Sequence, residues 1–158
     1  CPSDHKVYLD TQFFDEMKRS LGGGGDFAQA YVIAHEVGHH IQTVTGVSEQ
    51  VNQVRAKGGN VEGDGGLLVR QELQADCYAG LWAHYAQQEK QWMEPGDMES
   101  AIRTAQAIGD DTLQRKSRGT VVPDAFSHGT AEQRMVWFNR GFETGQIGAC
   151  DTFKAAAL

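Results

Sequence analysis

The sequence lacks a hydrophobic run long enough to cross a membrane, since none approaches the roughly 18 consecutive apolar residues that a spanning helix needs. It also lacks a visible signal peptide. The chain begins at Cys1 without an initiator methionine, and we interpret it as an excised or processed fragment. The lack of a targeting segment therefore says little about the full-length protein.

Cysteines and basic residues are both scarce. Three cysteines (Cys1, Cys77 and Cys150) are too few for a disulfide scaffold, and which of them pair is left open. Lys and Arg number 14 against 21 Asp and Glu, and the net charge of −7 argues against nucleic acid or an anionic membrane surface as a partner. The 158 residues suffice for one domain with its own core, and we expect residues 1–158 to form a single domain.

Hydrophobic periodicity predicts one short strand, over residues 6–10, followed by helices. Asp26 is expected to cap the second helix, Gly46 to end it, and Asp97 to cap the fourth. A capping box at Thr130 and Gln133 predicts the start of the last helix. The predicted helices cover residues 11–21, 26–45, 67–88, 98–108, about 111–119 and 130–144, and the predicted loops cover residues 22–25, 57–66 and 123–129.

The most informative motif is the H-E-x-x-H sequence that runs from His35 to His39. Histidines four residues apart on a helix project from one face, roughly 6 Å apart at Cβ, so both rings can reach one Zn²⁺ at about 2.0–2.1 Å. Glu36 lies about 100° round the helix, where it can contact a metal-bound water but is badly placed to be a ligand. Apolar residues at helical spacing across residues 27–44 support a helix here and disfavour a chance match.

A catalytic zinc needs a third protein ligand besides two histidines. A third histidine in the pattern H-E-x-x-H-x-x-G-x-x-H is excluded, because Gln42 and Thr45 stand at its last two positions. Glu72 and Asp76 instead lie at i and i+4 within an otherwise apolar helix. Two carboxylates on the inward side of a helix are unfavourable unless a metal, a cation or hydrogen bonds neutralise them.

We therefore expect Glu72 to be the third ligand and Asp76 to accept the free N–H of His35, which is the usual carboxylate support of a zinc-binding histidine. The alternative is that Glu72 and Asp76 only pair with Arg70 or another surface cation.

The arrangement of His35-Glu36-x-x-His39 followed by Glu72-x-x-x-Asp76 is the signature of the gluzincin metallopeptidases. Across nearly its whole length the chain resembles the bacterial neutral zinc metallopeptidase family. The stretches that carry the resemblance are Val7-Tyr8-Leu9-Asp10, His35-Glu36-Val37-Gly38-His39-His40, Glu72-Leu73-Gln74-Ala75-Asp76-Cys77-Tyr78-Ala79-Gly80 and Ser127-His128-Gly129-Thr130.

The resemblance implies a mainly α (α+β) fold, a zincin-like minimal gluzincin domain. A short edge strand or small sheet would accompany the active-site helix, which would pack on the Glu-bearing helix. It also implies an extracytoplasmic or cell-envelope protein. Members of this family typically carry an N-terminal membrane anchor, which this chain lacks, so membrane contact is expected only through such a segment.

His128 and Arg134 resemble the H-P-S-x-x-x-R stretch of the CaaX-type membrane gluzincins, with Gly129 in place of the proline. By that resemblance His128 donates to the oxyanion that develops during hydrolysis, and Arg134 braces a site carboxylate, either Glu72 or Asp76. The alternative is a loop histidine satisfied by a backbone carbonyl and an arginine in a surface pair. The remaining histidines are expected to be structural or on the surface: His5, His40 and His84.

The sequence thus predicts a zinc metalloendopeptidase with one catalytic Zn²⁺, a protein or peptide substrate and Glu36 as general base on a zinc-bound water. The alternative is a non-catalytic zinc-binding (pseudo-protease) domain with an interaction or regulatory role, in which Cys77 or His128 closes the fourth metal position. Closure by Cys77 is disfavoured, because it faces about 100° away from its neighbour Asp76.

Overall fold

The computed structural model describes residues 6–9, 11–16, 18–19, 25–91, 93–94, 96–107, 109, 114–115, 117, 119–123 and 126–158. Helices make up the regular structure of these residues, which confirms the mainly α class. In chain order they are α1 (Thr11–Glu16), α2 (Asp26–Val44), α3 (Val47–Ala56), α4 (Leu67–Lys90), α5 (Asp97–Ala107), α6 (Ala131–Thr144) and a 3₁₀ helix (Ile147–Cys150).

The predicted short strand is not found. Residues 6–9 are not in a strand, and Asp10 lies outside the described residues. Val7, Tyr8 and Leu9 are all exposed. A strand is stabilised by pairing with a neighbour, and the part of the chain that the structure describes contains no other strand for residues 6–9 to pair with. The expected edge strand or small sheet is therefore not confirmed.

The start of α2 differs from the prediction. Gly25, with φ of 105°, is the N-cap and supplies no side-chain capping bond, and Asp26 is the first helical residue. A negative charge in the first turn still favours the helix through its dipole. At the other end, Gly46 adopts a left-handed conformation with φ of 84°, as expected for the residue that ends the helix.

A helix that the sequence pattern did not predict, α3, follows Gly46 directly. Its apolar signal is weak because Val51 is its one buried residue. The predicted helices at 67–88, 98–108 and 130–144 hold within two residues, although α5 begins at Asp97 itself rather than after it. The first helix, predicted for residues 11–21, is shorter: α1 ends at Glu16, residues 18–19 are π-helical, and residues 17 and 20 lie outside the described ones. In the predicted polar helix at 111–119, residues 114–115 and 117 are helical, and the other residues from 111 to 118 lie outside the described ones. Residues 21–24 and 108, at the ends of other predicted elements, also lie outside them.

The capping box of α6 is confirmed. Thr130 Oγ1 accepts a hydrogen bond from the backbone N–H of Gln133 at 3.1 Å, and Gln133 Oε1 accepts one from the backbone N–H of Thr130 at 2.9 Å. This reciprocal pair of hydrogen bonds fixes the residue at which α6 begins. It therefore also fixes the position of Arg134, one turn further along α6, relative to α4.

Helix α4 is the centre of the fold, with α2 on one side and α6 on the other. Glycines allow both contacts to be close. A Cβ at Gly38 of α2 would lie 3.1 Å from the Cα and O atoms of Ala75, and one at Gly141 of α6 would overlap the carbonyl oxygen of Cys77. Small side chains at these crossings bring the backbones together, so that short side chains on facing helices can meet.

Two buried clusters flank these crossings. One lies between α2, α4, α5 and α6, and the other between α4, α6 and the 3₁₀ helix Ile147–Cys150, which we call the C-terminal turn. The first contains Phe27, Tyr31, Ala34, Ala79, Ala83, Ala101, Ala105 and Phe138, and the second contains Val69, Leu73, Cys77, Phe126, Trp137 and Cys150.

A disulfide joins Cys77 of α4 to Cys150 of the 3₁₀ helix, which settles a pairing that the sequence left open. The bond closes a loop of 73 residues. Cross-linking a loop of that length stabilises a fold by about 4 kcal/mol in the chain-entropy account.

We expect Cys150→Ala to lower the free energy of unfolding by about that amount in urea titrations. The reduced wild-type protein is the matched comparison, and a loss below about 1 kcal/mol in both would contradict the expectation.

Candidate metal centre

The α2–α4 crossing brings together the three predicted ligands, His35, His39 and Glu72. His35 Nε2 lies 3.3 Å from Glu72 Oε2, and His39 Nε2 lies 3.3 Å from Glu72 Oε1. The potential ligand atoms of all three residues lie within 4.8 Å of one another. Among the described residues, this is the group of histidines, cysteines and carboxylates that could hold a metal ion.

The donor set and its spacing fit zinc. Two imidazoles and one carboxylate are a known ligand set of catalytic zinc, with bonds of about 2.0–2.2 Å. Ligand atoms around a tetrahedral ion at that radius are about 3.3 Å apart, which matches the two nitrogen–oxygen distances above. Gly38 makes this spacing possible, because a larger residue there would push α2 away from Ala75 and so from Glu72.

Asp76 is fully buried behind the ligands and is satisfied by three side chains. His35 Nδ1 lies 2.8 Å from Asp76 Oδ1, and the Tyr31 hydroxyl donates to the same oxygen at 2.6 Å. Arg134 donates through Nε to Oδ2 at 2.8 Å and through an Nη to Oδ1 at 3.0 Å. Asp76 therefore holds the His35 ring with its Nε2 turned towards Glu72, and of the two predicted partners of Arg134 it is Asp76 that Arg134 contacts.

The charges of these buried groups depend on each other. Burial raises the pKa of Asp76, but the charges of Arg134 and His35 and their hydrogen bonds outweigh it and lower the pKa to about 2. Burial lowers the pKa of His35, but the charge of Asp76 and hydrogen bonds to Asp76 and Glu72 raise it to about 9. Without metal, His35 is thus a cation between two carboxylates, and a metal that binds its Nε2 must displace that proton.

Two further pKa shifts keep the cluster in one charge state. Burial opposes ionisation of Glu72, but hydrogen bonds and charges from His35 and His39 hold the pKa of Glu72 well below its usual value. The pKa of Tyr31 is raised well above 10.0, mainly by burial. The Tyr31 hydroxyl therefore keeps its proton and remains a donor to Asp76.

His39 has its own support, in Gln42. His39 Nδ1 lies 2.9 Å from Gln42 Oε1, and the amide nitrogen of Gln42 donates to the backbone carbonyl of Gln71 at 2.7 Å and to Gln74 Oε1 at 3.0 Å. Sequence reasoning used Gln42 only to exclude a longer histidine motif. Its position three residues after His39, on the buried side of the same helix, was the available signal.

Tyr31 was also missed, although it lies four residues before His35 and therefore on the same helix face. Its apolar ring fits the hydrophobic periodicity of α2, so the pattern assigned it to the core. The ring does pack edge-on against Phe138, with centroids 5.4 Å apart, while its hydroxyl reaches Asp76.

The predicted catalytic residues Glu36 and His128 are both exposed. Glu36 adjoins the ligand His35 in sequence. His128 lies in the loop before α6, with Nδ1 3.0 Å from Ser127 Oγ, and it does not belong to the ligand group around Glu72. That loop nevertheless packs on α4, because a Cβ at Gly129 would lie 3.2 Å from Leu73, the neighbour of Glu72.

Several alternatives from the sequence can be decided. Arg70 does not pair with the site carboxylates and instead donates to the backbone carbonyls of Gly65 and Ala155, each at 3.0 Å. Cys77 cannot close a metal site as a thiolate, because it is bonded to Cys150. His84 is structural, with Nδ1 2.6 Å from the Phe142 carbonyl oxygen; His40 is partly exposed, and His5 lies outside the described residues.

Fold and site together define a helical protein with a His–His–Glu group whose spacing fits a metal ion. The family model described as "Putative neutral zinc metallopeptidase" matches residues 1–153, and the chain belongs to this family, which confirms the resemblance seen in its motifs.

The chain is 54% identical over 153 residues to "Uncharacterized protein YpfJ" of Escherichia coli K12, a match that covers 97% of this chain and 53% of that protein. It is 44% identical over 168 residues to "Uncharacterized protein Rv2575" of Mycobacterium tuberculosis, covering 100% of this chain and 55% of that protein. The chain thus spans about half the length of these relatives. No solved structure matches it.

Proposed function

We propose that this chain is the catalytic domain of a zinc-dependent metalloendopeptidase that hydrolyses peptide bonds in proteins or peptides. The observation that carries the proposal is the group of His35, His39 and Glu72, whose spacing fits one zinc ion, with Glu36 between the two histidines. Membership of a family described as zinc metallopeptidases supports it.

When bound, zinc would supply Lewis-acid chemistry, in which it lowers the pKa of water towards 7 and polarises the scissile carbonyl. His35 and His39 would each offer Nε2, because Asp76 and Gln42 face their Nδ1 atoms. Glu36 would take the proton of the attacking water and pass it to the departing amine nitrogen. Its exposure at the surface of α2 leaves its carboxylate accessible to water and substrate.

The proposal is tested by incubating the zinc-loaded protein with casein, with and without 1,10-phenanthroline. We expect hydrolysis that the chelator abolishes and added zinc restores, and no hydrolysis by Glu72→Gln. The proposal is wrong if the wild-type protein holds less than about half an equivalent of zinc and Glu72→Gln leaves that content unchanged. Because the relatives are about twice as long, the same assay on a full-length relative shows whether its residues outside the matched region alter the rate.

A non-catalytic zinc domain would need a fourth protein ligand. With Cys77 in a disulfide, His128 is the remaining candidate of the two considered. In the catalytic proposal His128 instead donates to the oxyanion, and such donors contribute about 10²–10³ in kcat.

His128→Phe should therefore retain zinc and lower kcat by about 10²–10³, with little change in KM. Zinc content and steady-state kinetics are measured on the same preparation. His84→Phe is a control for substituting a histidine outside the ligand group. Loss of zinc from His128→Phe would make His128 a ligand and favour the closed, non-catalytic site.

We also propose an extracytoplasmic or cell-envelope location. The Cys77–Cys150 disulfide supports it, because disulfides persist mainly in oxidising compartments. No helix among the described residues is long and apolar enough to span a bilayer. Membrane attachment is a prediction that rests on the family resemblance alone.

A further inference from the structure

We infer that Gln42 and Gln74 form an amide relay that fixes the tautomer and orientation of His39. The inference rests on the proposed function for its consequence at zinc, but its structural part concerns the protein without metal. Gln42 and Gln74 would then be positioning residues, which act on the metal centre through His39.

The relay is a chain of hydrogen bonds that leads from His39 to the C-terminal turn. Gln42 Oε1 faces His39 Nδ1 at 2.9 Å, and the Gln42 amide nitrogen donates to Gln74 Oε1 at 3.0 Å. The Gln74 amide nitrogen in turn donates to the backbone carbonyl of Cys150 at 3.2 Å. Gln42 is fully buried and Gln74 is 6% exposed, so water does not compete well for these bonds.

Backbone carbonyls at two points decide which way each amide faces. A backbone carbonyl oxygen can only accept a hydrogen bond, so the side-chain atom that faces it must be the amide nitrogen. This assigns the Gln42 nitrogen to the side of the Gln71 carbonyl, at 2.7 Å, and the Gln74 nitrogen to the side of the Cys150 carbonyl. Each glutamine therefore turns its oxygen the other way. The oxygen that Gln42 presents to His39 can only accept, so His39 must carry its proton on Nδ1.

The consequence is at the metal centre. Glu72 Oε1 lies 3.3 Å from His39 Nε2 and competes with Gln42 for the ring proton in the metal-free protein. The acceptor at Nδ1 is therefore what keeps the proton of a neutral His39 on Nδ1 and leaves the lone pair of Nε2 for a metal within the ligand group. The opposite tautomer would put a proton where a metal must bind. The Nδ1 proton of His35 is held by Asp76, a charged acceptor, whereas the Nδ1 proton of His39 is held by a neutral amide that the protein backbone orients.

The relay also links the site to the disulfide. Its outer end is the carbonyl of Cys150, and the sulfur of Cys150 is bonded to Cys77, one residue beyond Asp76 on α4. The C-terminal turn thus helps to orient a predicted ligand on α2, although it contributes no ligand of its own.

The first test measures the tautomer of the neutral His39 ring in metal-free protein by ¹⁵N NMR of the histidine side chains. We expect wild-type His39 to be predominantly the Nδ1–H form. Gln42→Met, which keeps the side-chain length and removes the acceptor, should lose this preference. Gln71→Met is the matched control, because only the backbone carbonyl of Gln71 takes part in the relay. A wild-type His39 protonated mainly on Nε2 would overturn the inference without any variant.

The second test measures zinc affinity by competition with a chelator. Gln42→Met should weaken zinc binding by about 10–100-fold, the usual effect of removing a partner of a metal-binding histidine. Gln74→Met, one step further out, should weaken it less, and Gln71→Met should leave it within about twofold. An unchanged affinity in a folded Gln42→Met protein would overturn the inference.

The two tests separate this inference from the proposed function. If wild-type protein binds zinc but does not cleave casein, the relay still stands or falls on the tautomer and the affinities. Should Gln42→Met fail to fold, the wild-type tautomer and Gln74→Met decide: an Nδ1–H form together with weakened zinc binding in Gln74→Met supports the relay, and any other combination contradicts it.

Discussion

Glu36→Gln should retain the fold and a full equivalent of zinc and lose at least about 10²–10⁴ in kcat, the usual contribution of a general base. The reason is that Glu36 lies outside the group of ligand atoms, which consists of His35, His39 and Glu72. An amide in its place cannot take the proton of the attacking water. Zinc content, the unfolding curve and casein hydrolysis are measured together.

Glu62→Gln is the matched control, since it removes an exposed carboxylate from the loop between α3 and α4 and should leave the rate unchanged. If Glu36→Gln instead lost its zinc, Glu36 would be a ligand and its role as base would be wrong. Full activity in a zinc-loaded Glu36→Gln protein would exclude the proposed mechanism.

Asp76→Ala should lower the free energy of unfolding by about 3–5 kcal/mol. This substitution removes the ion pair between Asp76 and Arg134, which is only 2% exposed, and removing one member of a buried ion pair is costly. The same change frees the Nδ1 of His35 and should weaken zinc retention against a chelator by about 10–100-fold.

A double substitution separates these two effects. Asp76→Leu combined with Arg134→Met removes both charges and should recover a large part of the stability, while zinc binding stays weak. If the double variant bound zinc as tightly as the wild type, Asp76 would matter only as the partner of Arg134.

Acid should act through the same carboxylate. The pKa of Asp76 falls from 3.8 to about 2 on folding, so its contribution to stability is complete above its unfolded value and is lost as the pH drops towards 2. In acid-unfolding curves, the Asp76→Asn variant should lack the loss of stability that comes from protonating Asp76.

The metal-ligand candidates could be read from the sequence because their spacing alone carries the information. Residues four apart on a helix share a face, so His35 with His39 and Glu72 with Asp76 follow from helical geometry once both segments are recognised as helices. The approach of the two helices could not be read in the same way. It depends on Gly38 meeting Ala75, a contact between residues 37 positions apart that no local pattern encodes.

The supporting residues were missed for a related reason. Tyr31 and Gln42 lie on the buried face of α2, but their partners Asp76, Gln74 and Arg134 are far away in sequence. Local periodicity can assign a residue to a buried face, but it cannot say which distant group satisfies its polar atom. Arg134 was assigned as a brace only through a resemblance, and the choice between Glu72 and Asp76 needed the structure.

The remaining differences lie where local signals were weak. Residues 6–9 alternate in polarity over too short a stretch to specify a strand, and α3 buries little apolar surface apart from Val51. Three cysteines allow several pairings, and only the packing of the C-terminal turn against α4 brings Cys150 to Cys77.

The central claim, a metal centre with three protein ligands, is tested most directly by a crystal structure of the zinc-loaded protein with anomalous diffraction at the zinc edge. The account predicts one anomalous peak bound by His35 Nε2, His39 Nε2 and the Glu72 carboxylate, with no fourth protein ligand. A peak elsewhere in the protein, or a fourth ligand supplied by His128 or any other side chain, would contradict it.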